Sequence, residues 1–337
     1  MGGLKELGGT EVFVPLFVAV RQEGNGYPYS ELRNGFTPVL SNMAVGASWS
    51  EDNARAMGAI VGQELAAVGV NMLLGPVVDV LETPRSGERG DLGVRVFGGS
   101  PYWVGRLARA YIAGVHDGSD GRVVTVAKHF PGHGGSGRDP DSEVGTIAKT
   151  LEEIRTQDLV PFSAVTRYDA AEPEATTDGL LVGHIRSQAF QEGMQFFTDP
   201  LTLDERGLAA AMALPEFSTW QANGLLVADY LGSEAIKEHL NASRAGFPHF
   251  RIAREALMAG NDILPLVQFS LTDDWDTDTY PRIVETIQYF QERYRYDSGF
   301  QALIDESVRK ILQAKLGLYG GLSVSYTHLT LPTNREV

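Results

Sequence analysis

Lys128 and His129 stand at the end of an apolar run, inside the segment Ala-Lys-His-Phe-Pro-Gly-His-Gly-Gly from Ala127 to Gly135. The proline and the glycines that follow favour a loop whose backbone can approach a ligand closely. Lysine and histidine side chains offer several hydrogen-bond donors, so the segment is a candidate for binding hydroxyl groups. The alternatives are a buried ion pair between Lys128 and a strand carboxylate such as Asp79, and a His129 that is satisfied inside the core.

Three further polar side chains, Asp79, His184 and Asp229, also stand at the ends of apolar runs. An ionised aspartate held rigidly at the end of a buried strand can act as a nucleophile, and Asp229 is the candidate for that role. Its alternative role is to cap the helix pattern at Leu231–His239. We expect Asp79 to orient a neighbouring side chain. We expect His184 either to line a pocket or to bond to the backbone.

Six short runs rich in Val, Leu and Ile predict buried strands, because each is apolar on both faces, as strands of a parallel sheet are. They are Val12–Val20, Met72–Val80, Val123–Phe130, Gly179–Ile185, Gly224–Tyr230 and Asn261–Leu266. Helical patterns alternate with them at Ser50–Val68, Pro101–His116, Leu151–Val165, Phe250–Ala259, Pro281–Tyr294 and Phe300–Leu318. This alternation predicts parallel βαβ units in one domain. Polar residues at the strand ends favour a barrel, whose catalytic groups lie at that end.

The composition limits the classes of partner. The 337 residues carry 28 basic and 43 acidic side chains, a formal net charge of −15, which argues against nucleic-acid binding and against docking on anionic membranes. Cysteine is absent, so disulfides, thiolate metal sites and cysteine nucleophiles are excluded. The run Val12–Val20 is too short to span a bilayer, and the histidines stand at no metal-ligand spacing on one helix. The sequence leaves the compartment and the oligomeric state open.

The segment from Ala127 to Gly135 resembles the Lys-His-Phe-Pro-Gly-His-Gly motif of glycoside hydrolase family 3, and among its members the bacterial β-N-acetylhexosaminidases. Five other segments are similar to segments of that family and follow in the same order. They are Val18–Gly24, Gly75–Val80, Val94–Gly98, Gly224–Leu231 and Ala259–Leu264. The resemblance implies an α/β fold of the (β/α)8 TIM type. It implies hydrolysis of terminal β-linked sugars with retention, in the first place β-N-acetylhexosaminides, with β-glucosidase and β-xylosidase as alternatives.

The resemblance also implies roles for individual residues. Asp229 becomes the nucleophile that forms a covalent glycosyl intermediate, and Lys128, His129 and Arg95 bind the hydroxyls of the carbohydrate substrate. No metal or organic cofactor is implied, because retaining hydrolysis needs only two protic groups and stabilisation of the oxocarbenium ion. Arg21 stands where the family commonly has a sugar-binding aspartate. It is therefore a substrate-binding candidate that would favour an acidic substituent on the sugar.

The general acid departs from the family's pattern. The hexosaminidase branch supplies a histidine from an Asp-Ser-His motif, whereas this loop runs to Asp141-Ser142-Glu143 without a histidine. Counting without gaps places Asp141 at the histidine position, and matching Asp-Ser places Glu143 there. Either carboxyl can serve as acid and base if burial raises its pKa. The alternative is a solvated acidic loop.

The two ends of the chain do not fit the rest of the sequence. Residues 324–337 resemble a translated sequencing adapter, so we interpret 1–323 as the barrel domain and 324–337 as a non-native tail. The family's first strand and helix are expected to be missing before Val12, which makes the barrel incomplete at that end. These departures favour, as a second hypothesis, a sugar-binding barrel with little catalysis. A third is acid–base chemistry by Lys128 and His129 on a phosphorylated or keto substrate, although the sequence contains no P-loop.

Overall fold

The computed structural model describes residues 14–24, 26, 29–84, 92–195, 197–240 and 246–319. Within them the strands are β1 (Ala19–Val20), β2 (Met72–Leu73), β3 (Val124–Phe130), β4 (Gly145–Ile147), β5 (Gly179–Val182), β6 (Ile185–Ser187) and β7 (Leu225–Ala228). Five of them form one parallel sheet in the order β1-β2-β3-β5-β7, and β4 pairs with β6 separately. Ile263 bridges Val227 of β7 in parallel and adds a sixth position at that edge of the sheet.

The strands of the five-stranded sheet all lie inside predicted runs, but most are shorter than predicted. The run Met72–Val80 keeps regular pairing only over β2, because Pro76 has no N–H to donate to the ladder. Contact with β3 resumes at Val77, which bridges Lys128. The predicted strand Asn261–Leu266 is reduced to the Ile263 bridge.

The described helices follow the strands in alternation. They are α1 (Asn42–Gly46), α2 (Glu51–Ala67), α3 (Pro101–Gly118), α4 (Leu151–Thr156), α5 (Leu159–Thr166), α6 (Glu205–Met212), α7 (Glu234–His239), α8 (His249–Met258), α9 (Tyr280–Tyr296) and α10 (Ser298–Tyr319). Ser50 caps α2 by accepting from the Asn53 backbone N–H, and Pro101 stands at the start of α3. The apolar stripe of α2, spaced by three and four residues, packs along α3.

The predicted helix Leu151–Val165 is two helices in the structure. α4 begins with a capping box, in which Thr150 and Glu153 satisfy each other's backbone N–H groups. The helix ends near Gln157 because Pro161, four residues later, would clash with the Gln157 carbonyl and offers no N–H to it. α5 therefore starts afresh at Leu159. The proline was visible in the sequence, so the prediction of one continuous helix was wrong for a local reason.

Every residue of β3 and β5 is buried, because helices cover the outer face of the sheet. The main core lies between these strands and α2, α3 and α5, and a second core surrounds α8. Parallel strands with helices outside them confirm the predicted TIM-type α/β fold, as a partial barrel over the described residues. Among the described helices, none is both long enough and apolar enough to cross a membrane. The predicted tail, 324–337, lies outside the described residues.

Candidate active site

Charged and polar side chains gather at the carboxyl ends of the sheet strands. Lys128 and His129 belong to β3, Glu23 follows β1, and Asp229 follows β7 directly. Because β3 and β7 both pair with β5, the ends of these strands meet along one edge of the sheet. This is the end of a barrel at which catalytic groups lie.

A buried carboxylate, Glu23, joins the two cations that were predicted to bind sugar. Its Oε1 lies 2.6 Å from Lys128 Nζ, its Oε2 lies 2.6 Å from Arg95 Nε, and all three side chains are at most 4% exposed. The Tyr29 ring covers the Arg95 guanidinium at 3.9 Å from Cζ to the ring centroid. The buried ion pair that the sequence offered as an alternative for Lys128 therefore exists, with Glu23 and not Asp79 as the partner.

Electrostatics keep this cluster ionised. Burial by itself raises the pKa of Glu23, but the charges of Lys128 and Arg95 outweigh burial and lower that pKa to about 2. Burial works against the Arg95 charge as well, yet Glu23 raises the pKa of the guanidinium above its ordinary value. Charge-assisted hydrogen bonds of this kind are short and strong. The carboxylate therefore fixes the two cations in position at neutral pH.

Asp79 is fully buried beneath the loop that follows β3. It accepts from His129 Nδ1 at 2.7 Å, from the His129 backbone N–H at 3.2 Å and from the His133 backbone N–H at 2.6 Å. Burial opposes its ionisation, but the two histidines outweigh burial and hold the pKa of Asp79 below its ordinary value. We assign the ring hydrogen to His129 Nδ1 because its partner is a carboxylate. This leaves His129 Nε2 for a ligand.

The loop after β3 is held close to the barrel by its own residues. His133 Nε2 lies 2.6 Å from the carbonyl oxygen of Arg138, and burial lowers the pKa of His133, which favours the neutral ring as donor. Gly134 is required by close approach, since an added Cβ would lie 1.7 Å from the Val80 carbonyl oxygen. His133 therefore holds the loop in place.

Asp229 is buried directly after β7. Burial by itself raises its pKa, but the His184 and His129 rings, the Tyr230 backbone N–H and the Lys128 ammonium outweigh burial and lower that pKa below its ordinary value. The Tyr230 N–H donates to Asp229 Oδ1 at 2.8 Å. The carboxylate is thus ionised and held at the end of a rigid strand.

Asp229 does not cap a helix, so that alternative is wrong. The next helix, α7, begins at Glu234, and its N-cap is Ser233, whose hydroxyl accepts from the Ile236 backbone N–H. The chain between Asp229 and Ser233 turns away from the strand before the helix starts.

His184 follows β5, and both of its ring nitrogens are engaged within the protein. Nδ1 lies 3.1 Å from the Thr202 hydroxyl, and Nε2 lies 3.0 Å from the Tyr230 carbonyl oxygen. Burial lowers the pKa of His184, which favours a neutral ring. This geometry agrees with the alternative in which His184 bonds to the backbone. The ring lines the site beside Asp229.

The two candidates for the general acid lie in different surroundings. Asp141 stands between two arginines, with Oδ1 3.7 Å from Arg21 Nη1 and Oδ2 3.9 Å from Arg95 Nη1, and its side chain is 38% exposed. Glu143 pairs at 2.5 Å with Arg138, which is 61% exposed. Asp141 therefore reaches the cluster at the strand ends, whereas Glu143 is paired with a surface arginine.

Arg21 lies at the rim of the same cluster. Its Nε is 3.1 Å from Glu31 Oε1, and its guanidinium carbon lies 5.1 Å from the centroid of the Tyr230 ring. Glu31 and Tyr29 were missed by the sequence reasoning. Glu31 pairs with Arg21, and the Tyr29 ring covers Arg95. Gln22 and Ser30 bridge each other and bring these residues together, and no local sequence pattern predicts such contacts.

A second network of charged side chains contacts the loop that follows β3. The Lys149 ammonium bridges the carboxylates of Glu82 and Asp158, and the Asp158 side chain is fully buried. Burial raises the pKa of Asp158, and Lys149 opposes that rise. Asp158 contacts the loop at Gly132, where an added Cβ would lie 2.6 Å from the Cβ of Asp158. The sequence analysis did not find this network.

A cavity of about 680 Å³ lies at the opposite end of the sheet. It is lined by residues at the amino ends of β3, β5 and β7 and by part of α10, so it is separate from the charged cluster. We place the candidate chemistry at the carboxyl ends, because the buried charges and the motif loop are there. Within the described residues, no group of three or more His, Asp or Glu side chains is arranged to hold a metal ion.

Residues 6–314 match the glycosyl hydrolase family 3 N terminal domain. The chain belongs to this family. The family resemblance inferred from the Lys-His loop is therefore confirmed, and the TIM-type fold agrees with it. Family 3 membership covers the whole described barrel, including the strand ends that carry Glu23, Lys128 and Asp229.

Individual family 3 proteins are similar over part or most of the chain. A beta-hexosaminidase of Alkalilimnicola ehrlichii is 32% identical over 217 residues, which cover 58% of this chain and 58% of that protein. A beta-hexosaminidase of Pseudomonas aeruginosa is 36% identical over 160 residues, 47% of this chain and 46% of that protein. The structure of a family 3 beta-N-acetylglucosaminidase from Paenibacillus sp. superimposes with a TM-score of 0.72 at 26% identity, over 95% of this chain and 53% of that one. The chain spans about half the length of the curated relatives it matches.

Proposed function

We propose that this family 3 chain hydrolyses terminal β-linked N-acetylhexosaminides with retention of configuration, through a covalent glycosyl-Asp229 intermediate. The observation that carries the proposal is the buried, ionised Asp229 at the carboxyl end of β7, beside Lys128 and His129. A retaining glycosidase needs a carboxylate of this kind to attack the anomeric carbon. The names of the similar proteins, beta-hexosaminidase and beta-N-acetylglucosaminidase, support the choice of sugar.

In the first step, an Asp229 oxygen forms a bond to the anomeric carbon while the bond to the leaving oxygen breaks. Asp141 donates the proton that the leaving oxygen takes up. In the second step, Asp141 removes a proton from a water molecule, whose oxygen attacks the anomeric carbon and releases Asp229 as a carboxylate. Asp141 is proposed rather than Glu143 on position alone, because its carboxylate reaches the cluster at the strand ends, whereas Glu143 is paired with a surface arginine.

The remaining residues hold the sugar in place for this reaction. Lys128 and Arg95 donate to hydroxyl groups, His129 Nε2 accepts from one, and Glu23 and Asp79 fix these groups before the substrate arrives. Donors held in advance need not reorganise during the reaction, so more of their interaction stabilises the transition state. The proposed reaction uses these side chains alone and calls for no cofactor.

The test is hydrolysis of 4-nitrophenyl β-N-acetylglucosaminide and of the β-glucoside by the wild type and by Asp229→Asn. The amide keeps the shape of the carboxylate but cannot attack, so we expect turnover to fall by on the order of 10⁴-fold. An activated 2-fluoro sugar followed by intact mass should leave an adduct on the wild type only. Asp120→Asn is a matched control, because Asp120 is exposed and asparagine tolerates its positive φ of 54°.

A well-folded wild type with neither turnover nor adduct would contradict the proposal. Sugar binding that persists in such a sample would support the second candidate, a binding barrel with little catalysis. The absence of a histidine from residues 134–143 favours that candidate. Faster hydrolysis of the glucoside would instead assign a β-glucosidase.

A further inference from the structure

Two exposed aromatic side chains, Trp49 and Tyr102, and the half-buried Trp103 form a surface at the rim of the barrel, which we call the rim aromatic surface. Trp49 is 58% exposed and Tyr102 is 57% exposed. The Trp49 and Trp103 ring centroids lie 5.2 Å apart with planes at 82°, and those of Tyr102 and Trp103 lie 5.6 Å apart at 81°. Exposed aromatic rings that contact one another mark an interaction surface more strongly than single exposed rings do.

The rim aromatic surface lies at the same end of the barrel as the candidate active site. Trp49 immediately precedes α2, and Tyr102 and Trp103 lie in the first turn of α3. Each of these helices follows the loop that leaves a strand's carboxyl end and runs back to the amino end of the next strand. Their first turns therefore lie beside the carboxyl ends of β1 and β2.

Polar groups flank the rings. The Arg106 guanidinium lies 5.6 Å from the Tyr102 centroid and 5.7 Å from the Trp103 centroid, and it donates to the Tyr102 hydroxyl at 2.7 Å. Arg106 also pairs with Glu51 at 2.5 Å. The surface thus combines apolar ring faces with hydrogen-bond donors and acceptors at its edge.

Trp49 is held in a backbone conformation that bulky residues rarely adopt, with φ of +52°. Such a conformation is unfavourable for a residue with a Cβ and persists where the surroundings enforce it. Its side chain is mostly exposed, so burial in the core does not explain why a tryptophan occupies this position. A ligand that contacts the ring would explain it.

The surface is physically continuous with the sugar-binding cluster. Helix α1, which leads into Trp49, is tied to the Arg95 segment by a hydrogen bond of 2.7 Å from Asn42 Nδ2 to the Arg95 carbonyl oxygen. At Gly46 the two segments touch, since an added Cβ would lie 1.7 Å from the Phe97 carbonyl oxygen. The segment that carries Arg95 is therefore in direct contact with the helix that precedes Trp49.

We propose that the rim aromatic surface binds the remainder of a β-1,4-linked N-acetylglucosamine chain whose terminal sugar lies in the active site. This inference rests on the proposed function. Sugar C–H groups carry partial positive charge and suit the negative faces of Trp49 and Tyr102. Arg106 and Glu51 can bond the hydroxyl and acetamido groups. The net charge of −15 disfavours an anionic polymer on the same surface.

The test measures binding of chitohexaose by calorimetry in the Asp229→Asn background, so that the terminal sugar can enter the active site without being hydrolysed. Trp49→Gly removes the ring and suits the positive φ, so it should keep the stability of the fold. Tyr102→Ala is the second variant. We expect each to weaken hexamer binding about tenfold, the equivalent of 1.4 kcal/mol. Tyr296→Ala is the matched control, because this ring is 84% exposed at the last residue of α9, where the helix returns to the amino ends of the strands.

Unchanged hexamer affinity in both folded variants, or an equal loss in Tyr296→Ala, would overturn the proposal. So would a wild-type dimer in sedimentation that Trp49→Gly dissociates without any effect on hexamer binding, since the surface would then be an interface between copies. Turnover of 4-nitrophenyl β-N-acetylglucosaminide is measured on the wild type and on the same rim variants with Asp229 intact. Its absence would count against the proposed function, while the calorimetry would still decide the rim aromatic surface.

Discussion

Replacing Glu23 by glutamine should destabilise the fold strongly, although the change is nearly isosteric. Glu23 lies between Lys128 and Arg95 with contacts of 2.6 Å to each, and its side chain is 2% exposed. Glu23→Gln leaves two buried cations that share a neutral amide. Removing one partner of a buried ion cluster costs about 3–5 kcal/mol, because the remaining charges lose their compensation.

The structure gives a second route to the same magnitude. Glutamine resembles the protonated carboxyl, so the pKa of Glu23 measures the preference of the folded site for the charged form. That pKa falls from 4.5 to about 2, and each unit corresponds to about 1.36 kcal/mol. The ionised carboxylate therefore stabilises the fold by about 3 kcal/mol, which agrees with the expectation for a buried ion cluster.

The pH dependence has a definite sign. Because the pKa of Glu23 is lower in the folded state, the unfolded chain takes up the proton first as the pH falls. The stabilisation is complete above the unfolded pKa of about 4.5 and is lost as the pH falls towards 2. The difference between wild type and Glu23→Gln should shrink from about 3 kcal/mol at pH 7 to about 1.5 kcal/mol at pH 3.

The assay is urea unfolding of both proteins at pH 7 and pH 3, with tryptophan fluorescence and circular dichroism as separate probes. Glu31→Gln is the matched control, because Glu31 also pairs with an arginine but its side chain is 34% exposed. We expect that control to cost less than about 1 kcal/mol. Equal losses in the two variants, or a loss in Glu23→Gln that does not change with pH, would refute the reasoning.

Three further predictions test other parts of the structure. Asp141→Asn should lower kcat/KM for an unactivated disaccharide by about 10²–10⁴-fold, whereas Glu143→Gln should leave it nearly unchanged; the reverse order would exchange their roles. Lys149→Met leaves the Asp158 carboxylate buried without its cation. We expect a loss of about 3 kcal/mol in urea unfolding at pH 7, and because burial raises the pKa of Asp158, the loss should shrink as the pH falls. Gly46→Ala places a Cβ 1.7 Å from a facing carbonyl oxygen and should lower the unfolding free energy by about 1–3 kcal/mol, which thermal denaturation checks.

The sequence predicted the positions of the strand ends better than the contacts made there. Lys128 and Asp229 could be placed at the ends of buried strands because apolar runs with polar ends have a local signature. The partner of Lys128 could not be identified, because Glu23 stands on another strand and a sequence does not show which carboxylate faces a buried ammonium. The sequence analysis named Asp79 as a possible partner of Lys128, but in the structure Asp79 binds His129 and His133 instead.

The choice between Asp141 and Glu143 was undecidable from spacing for a similar reason. The two residues are separated only by Ser142, and both counting rules are consistent with the loop sequence. What distinguishes them is the path of the loop, which places Asp141 near two arginines and leaves Glu143 beside Arg138. That path depends on the contact of His133 with the Arg138 carbonyl oxygen, which no sequence pattern predicts.

Burying the charges of the Glu23 cluster carries a desolvation cost, and the position of the cluster beside Asp229 explains why the charges are there. Apolar residues of similar volume often stabilise a fold as well as a buried ion cluster does, so stability alone does not account for these charges. Lys128, however, both pairs with Glu23 and helps to lower the pKa of Asp229. Replacing the cluster by an apolar core would remove that charge, and the His184 and His129 rings and the Tyr230 backbone N–H would oppose burial without it. The buried and paired ammonium of Lys128 is therefore one of the groups that favour an ionised carboxylate at the end of β7.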